Sequence, residues 1–148
     1  MNVAIAALIL TIATEVGIPP NFALAIALEE NVTLNPTAVT TRRSDGTRDL
    51  GVMQLNSERF GHIDWKDPVT NIRAGCIRIK TLYDHDLNWW QVAIAYDCGY
   101  GQLKSKNGPP YRSIMYADRV FAQWEKLDDE RTTQVLDKYF EAQRKVRR

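Results

Sequence analysis

Seven consecutive apolar residues, Phe22-Ala23-Leu24-Ala25-Ile26-Ala27-Leu28, run straight into Glu29-Glu30-Asn31. A helix over this stretch is apolar on every side, so it has to be buried all round, with other helices as its shell. Asn21, after Pro19-Pro20, is the predicted N-cap, and Glu30 the predicted end. The constraint reaches beyond the fold. Carboxylates at the end of a central buried helix are held rigidly with little water around them, and desolvation raises their pKa toward that of a general acid. Adjacent helical residues point about 100° apart, so Glu29 and Glu30 cannot both face one cleft. On an exposed helix both would read as solvated end residues; the apolar run argues against that.

The 148 residues suit one domain with a real core, and 45% hydrophobic with 25% charged residues is an ordinary globular composition. A formal net charge of +1 supplies no field for nucleic acid. Arg144, Lys145, Arg147 and Arg148 crowd the last residues, as a solvated helix end favoured by its dipole or as a weak hold on an anionic polymer. Cys76 and Cys98 lack metal-ligand spacing, and His62 and His85 are not near them in sequence, so no metal or redox site is expected. The apolar start has no basic residue before it and is interrupted by Glu15. Residues 3–16 therefore read as a core helix, not as an export signal or a membrane span.

No linker or repeat divides the chain. Residues 37–54 lose the helical period, and Ser44-Asp45-Gly46-Thr47 predicts a short β-hairpin around residues 38–54. Asp67-Pro68 opens a helix to about Tyr83, with Ile72, Cys76, Ile79 and Tyr83 on its apolar stripe. Asn88 caps the next helix, which runs to Tyr96 and is ended by Gly99-Tyr100-Gly101. Residues 111–127 are helical, with Val120, Phe121, Trp124 and Leu127 as the core face. Residues 128–148 form an extra helix with a stripe of Val135, Leu136, Tyr139, Phe140 and Val146, folding back on the domain or docking on a partner.

Short pieces stand in a fixed order: Glu30-Asn31 and Asn35-Pro36, Gly51-Val52-Met53-Gln54, Asn71-Ile72-x-x-Gly75, and Ala95-Tyr96-x-x-Gly99. In that order, over roughly residues 4–122, the chain resembles the soluble lytic transglycosylase (SLT) domain, a lysozyme-like, peptidoglycan-cleaving family related to goose-type lysozyme. The resemblance implies a mainly α (α+β) lysozyme-like domain over residues 1–127, with residues 128–148 as a C-terminal extension packed on it. It implies Glu30 as the catalytic acid. Glu29 is the alternative, because one residue more than the commonest spacing separates the glutamate from Asn35-Pro36. Met53 and Gln54 match a cleft-lining pair, one for apolar contact and one for sugar hydroxyls or N-acetyl groups, and Tyr96 matches a tyrosine that hydrogen-bonds the glutamate. Without the resemblance, Met53 reads as core filler, Gln54 as a polar helix start and Tyr96 as a core aromatic. Gly99 completes the substrate-binding set. Asp97-Cys98 departs from the family's usual Asn-Ala, placing a further carboxylate at the rim to raise the pKa of Glu30. Asp49 is either another cleft carboxylate or the partner of Arg43 or Arg48. Cys76 and Cys98 fall in helices that pack together in the family, so free thiols and a disulfide both stay open.

The activity implied is cleavage of the β-1,4 MurNAc-GlcNAc bond of peptidoglycan glycan strands, leaving a 1,6-anhydroMurNAc end, with no cofactor and no metal. Two alternatives stand beside it. One is a goose-type-lysozyme-like muramidase using water held by Asp97 or Asp49. The other is a weakly active wall-docking component of a phage virion or secretion apparatus. No nucleic-acid partner and no membrane insertion are expected. The missing export signal points to a phage or secretion-apparatus protein that reaches the wall by lysis, virion delivery or a machine.

Overall fold

A computed structural model describes residues 1–41 and 43–147, with backbone alone over residues 130–133. Arg42 of the expected hairpin and Arg148 of the basic terminus lie outside the described residues. The helices are α1 (Val3–Val16), α2 (Pro20–Glu30), α3 (Ser57–Phe60), α4 (Pro68–Tyr83), α5 (Trp89–Cys98), α6 (Tyr100–Leu103), α7 (Tyr111–Leu127) and α8 (Glu130–Val146). The strands β1 (Val39–Thr40), β2 (Asp49–Leu50) and β3 (Leu55–Asn56) form one antiparallel sheet in that order, with Val39 opposite Leu50 and Leu50 opposite Leu55. The architecture is mainly helical and lysozyme-like. Two-residue β3 carries no periodic signal in sequence, and it turns the expected hairpin into a three-stranded sheet.

α2 is the axis of the molecule. Phe22 to Ala27 are all fully buried, enclosed chiefly by α1 and α7. The ring of Phe22 meets Trp89 of α5 and Trp124 of α7 at 5.0 Å each, tying three helices together one helix length below Glu30. The helix starts one residue before the predicted Asn21 cap, because Pro20 takes the first helical position with its φ already set. Asn21 is thereby freed to cross-link, and its Nδ2 donates to Asp128 Oδ1 at 2.7 Å beyond the end of α7.

α1 ends at Gly17, whose φ of +89° lets its N–H close on Ala13 and Thr14. Asp67 caps α4 by accepting from the Thr70 N–H and hydroxyl, at 2.9 and 2.7 Å. Asn88 and Gln91 form a capping box on α5. The inner stripe of α4 closes on Leu82 in place of Tyr83, which is 41% exposed and stacks on Trp89 at 4.2 Å. Either i+3 or i+4 from Ile79 meets the stripe, and the smaller apolar side chain takes the inside. Gly99 ends α5 as expected, but Tyr100 restarts a helical turn, α6. α8 contacts α1 and α7; Leu136 is buried there, while Val135 and Val146 of the expected stripe stay exposed. Cys76 and Cys98 are both free thiols, and burial pushes Cys76 up to about 12. Among the described residues no helix is long and apolar enough to cross a membrane.

Candidate active site

Three short backbone segments converge on the C-terminal end of α2: the turn after β2, the end of α5 and the middle of α7. The turn is Gly51-Val52-Met53-Gln54, and Gly51 stands at φ +72°. A Cβ at Gly51 would sit 2.3 Å from Asn71 Nδ2, so glycine is required here for closeness as well as for φ. Buried Asn71 uses the space. Its Nδ2 donates to Leu50 O at 3.0 Å, and its Oδ1 accepts from Met53 N–H at 2.8 Å. One turn on, a Cβ at Gly75 would come within 2.8 Å of two Met53 side-chain carbons. The Asn71-Ile72-x-x-Gly75 piece therefore clamps the turn and does no chemistry of its own. Asn31 meets the other side, its Nδ2 donating to Gly51 O at 3.4 Å and to Asn35 O at 2.9 Å.

Glu30 faces a cleft of about 450 Å³, lined also by Arg43, Asp49, Gln54, Arg78, Tyr96, Asp97 and Gly99. Glu29 points away from it and pairs with Arg119 at the surface. Of the two adjacent glutamates, only Glu30 faces the cleft. Desolvation pushes the Glu30 carboxyl up to about 8; the Tyr116 hydrogen bond and Arg43 pull it down, and Asp97 and Asp49 raise it further. Glu30 is accordingly mostly protonated at neutral pH.

The phenol on Glu30 is not the expected one. Tyr116 Oη of α7 donates to Glu30 Oε1 at 2.8 Å, whereas Tyr96 Oη donates to Met53 O at 2.7 Å. Tyr96 still lines the cleft, but its hydroxyl is spent on the turn carbonyl left over when Asn71 took the Met53 N–H. Burial and the nearby Glu30 push both phenols well above the ordinary tyrosine value, so both remain donors. Tyr116 had a signal in sequence. It lies four residues before Val120 on the buried stripe of α7, where a tyrosine hydroxyl needs a polar partner.

Met53 also departs from the expected cleft-lining position. Its side chain is fully buried against Gly75 and offers the cleft no apolar surface. Gln54 does line the cleft at a φ of +51°, held by Nε2 donating to Gly51 O at 2.9 Å and Oε1 accepting from Thr40 Oγ1 at 2.6 Å. Of the other cleft carboxylates, the two that act on Glu30, Asp49 and Asp97, are both engaged. Arg43 Nε bridges both oxygens of Asp49 at 3.0 Å, and Ser113 Oγ donates to Asp97 Oδ2 at 2.6 Å. Arg78, unremarked in the sequence, lies 5.4 Å from the centre of the Tyr96 ring and donates to Tyr96 O at 3.4 Å. Among the described residues no group of three or more His, Cys, Asp or Glu is placed to hold a metal ion.

No curated protein matches the chain. The family model described as Transglycosylase SLT domain matches residues 7–117, which include α2, the β2–β3 turn, α5 and Tyr116 of α7. The chain belongs to the transglycosylase SLT domain family.

Proposed function

We propose that this protein is a peptidoglycan lytic transglycosylase that cleaves the β-1,4 MurNAc-GlcNAc bond and leaves a 1,6-anhydroMurNAc end. Membership of the family supports peptidoglycan as substrate and lytic transglycosylase chemistry as the type of reaction. The observation that carries the reading for this chain is Glu30: a desolvated carboxyl, raised to about 8, hydrogen-bonded by Tyr116 and facing a polar cleft. Protonated Glu30 gives its proton to the leaving GlcNAc oxygen as the C1–O bond breaks and an oxocarbenium-like centre forms. The resulting carboxylate takes the proton from the muramic acid 6-hydroxyl, whose oxygen bonds to C1 and closes the anhydro ring. Glu30 ends protonated again and no water is consumed. A pKa near neutrality suits a group that must act in both directions. Engagement of Asp49 by Arg43 and of Asp97 by Ser113 supports a nucleophile supplied by the substrate, where high effective molarity replaces a second carboxylate.

In the same proposal residues 1–127 are the catalytic domain and residues 128–148 an extension of it, supported by the contacts of α8 with α1 and α7. Gln54, Tyr96, Asp97 and Gly99 are its substrate-contacting set. Asp97 in the cleft is the observation that favours a second reading, hydrolysis, with this carboxylate holding a water. Turnover of purified sacculi by Glu30→Gln and Glu29→Gln tests the assignment. Only the first should lose activity; the reverse result would move the acid to Glu29.

A further inference from the structure

α8 carries two apolar rows. Leu136 is buried where the helix meets α1 and α7, and Phe140 follows one turn on, against a cavity that Leu10 and Trp124 also line. The second row is Val135, Tyr139, Ala142 and Val146, which fall within an arc of about 60°, turned about 100° from the first. Val135 is 57% exposed and Val146 81%, with Ala142 exposed between them. Lys138 and Lys145 border this outer row, and Arg144 and Arg147 stand near its end. All four are exposed, and none forms a salt bridge among the described residues. The outer face of α7, next to α8, has the opposite character. A groove of about 720 Å³ runs along it, walled by Phe121, Ala122 and Trp124, edged by Asp118, Glu125 and Asp128, and with no basic side chain among its described lining residues. Asp118 and Glu125 form no salt bridge among the described residues either. An apolar row bordered by lysines and an apolar groove edged by carboxylates match in both shape of surface and charge. They cannot meet within one chain, because the inner row of α8 faces α1 and α7 and turns the outer row away from the body. Two outer rows pressed together would set lysines against lysines; row into groove sets them against carboxylates.

We infer that this chain pairs with a second copy of itself, the outer row of α8 in each seated in the α7 groove of the other. The arrangement is isologous: one two-fold axis satisfies both contacts and closes the assembly at a dimer. The surface lies at the end of α2 where Asn21 holds Asp128, and Glu30 stands at the opposite end, so both clefts stay open to substrate. The pairing does not depend on the proposed reaction.

Analytical ultracentrifugation of the full chain tests it. Wild type should be a dimer at about 100 μM in low salt and should dissociate as salt screens the charge pairs. Lys138→Glu with Lys145→Glu, and separately Asp118→Lys with Glu125→Lys, should each weaken the dimer at least about tenfold, because each sets like charges face to face. Mixed in equal amounts, the two double variants should pair with each other, since both contacts then join opposite charges again. That rescue also shows that neither variant lost its fold. A wild-type chain that stays monomeric would overturn the inference. So would a dimer that survives both charge reversals, or reversed variants that fail to pair when mixed.

Discussion

Tyr116 and Glu30 are separated by 86 positions in the chain, yet the phenol donates to the carboxyl at 2.8 Å across the interface of α7 with α2. This bond favours the ionised form of Glu30, against a larger desolvation that favours the neutral one. Tyr116→Phe should therefore move the alkaline limb of the pH–rate profile upward and slow turnover by roughly tenfold or more, the loss of one buried bond to a charged group. A limb that stayed in place would mean that Tyr116 does not act through Glu30.

Tyr96→Phe should behave differently. Its hydroxyl serves Met53 O, so its removal leaves a buried carbonyl unpaired and costs about 1–3 kcal/mol of stability. Denaturant unfolding should show the loss, while the alkaline limb of activity stays where it is in wild type. The pair of variants separates a tyrosine that tunes the acid from one that holds its cleft wall.

Glu30 also couples to stability. Its folded pKa of about 8 lies above its ordinary 4.5, so the folded chain holds the proton more tightly than the unfolded one between those values. Stability from this group is full below pH 4.5 and is lost as pH rises through 8, with a slope of up to about 1.4 kcal/mol per pH unit. Glu30→Gln removes that slope. Thermal melts of wild type and variant should diverge from pH 5 to pH 8, with the glutamine form the more stable at the alkaline end.

Gly51→Ala should destabilise the cleft turn without touching a cleft side chain. The methyl would displace Asn71 Nδ2, 2.3 Å away, and would sit at a φ of +72°. The strained backbone alone costs about 1–2 kcal/mol, and loss of the Asn71 bonds adds to it. A melting temperature equal to wild type would show that Asn71 moves aside freely.

Much of this was readable in sequence because it depends on local pattern. Seven apolar residues before Glu29-Glu30 demanded a central helix, and Asp67-Pro68 and Asn88 marked helix starts that the structure keeps. Gly51 and Gly75 were visible as motif residues, but that they make room for Asn71 and Met53 was not, since close approach is a property of the assembled turn. Which phenol reaches Glu30 depends on how α7 crosses α2, and no spacing within α5 or α7 encodes that crossing. Only the resemblance places Met53 in the cleft. Its neighbours on both sides of the turn decide that it is core.

In the proposed reaction substrate, not water, completes what Glu30 begins. Mass spectrometry of peptidoglycan digested by the wild-type protein tests it most directly. Muropeptides ending in 1,6-anhydroMurNAc, each lighter by one water than its lysozyme counterpart, are the expected products. Reducing MurNAc ends in their place would contradict it and make Asp97 the first candidate to hold the attacking water.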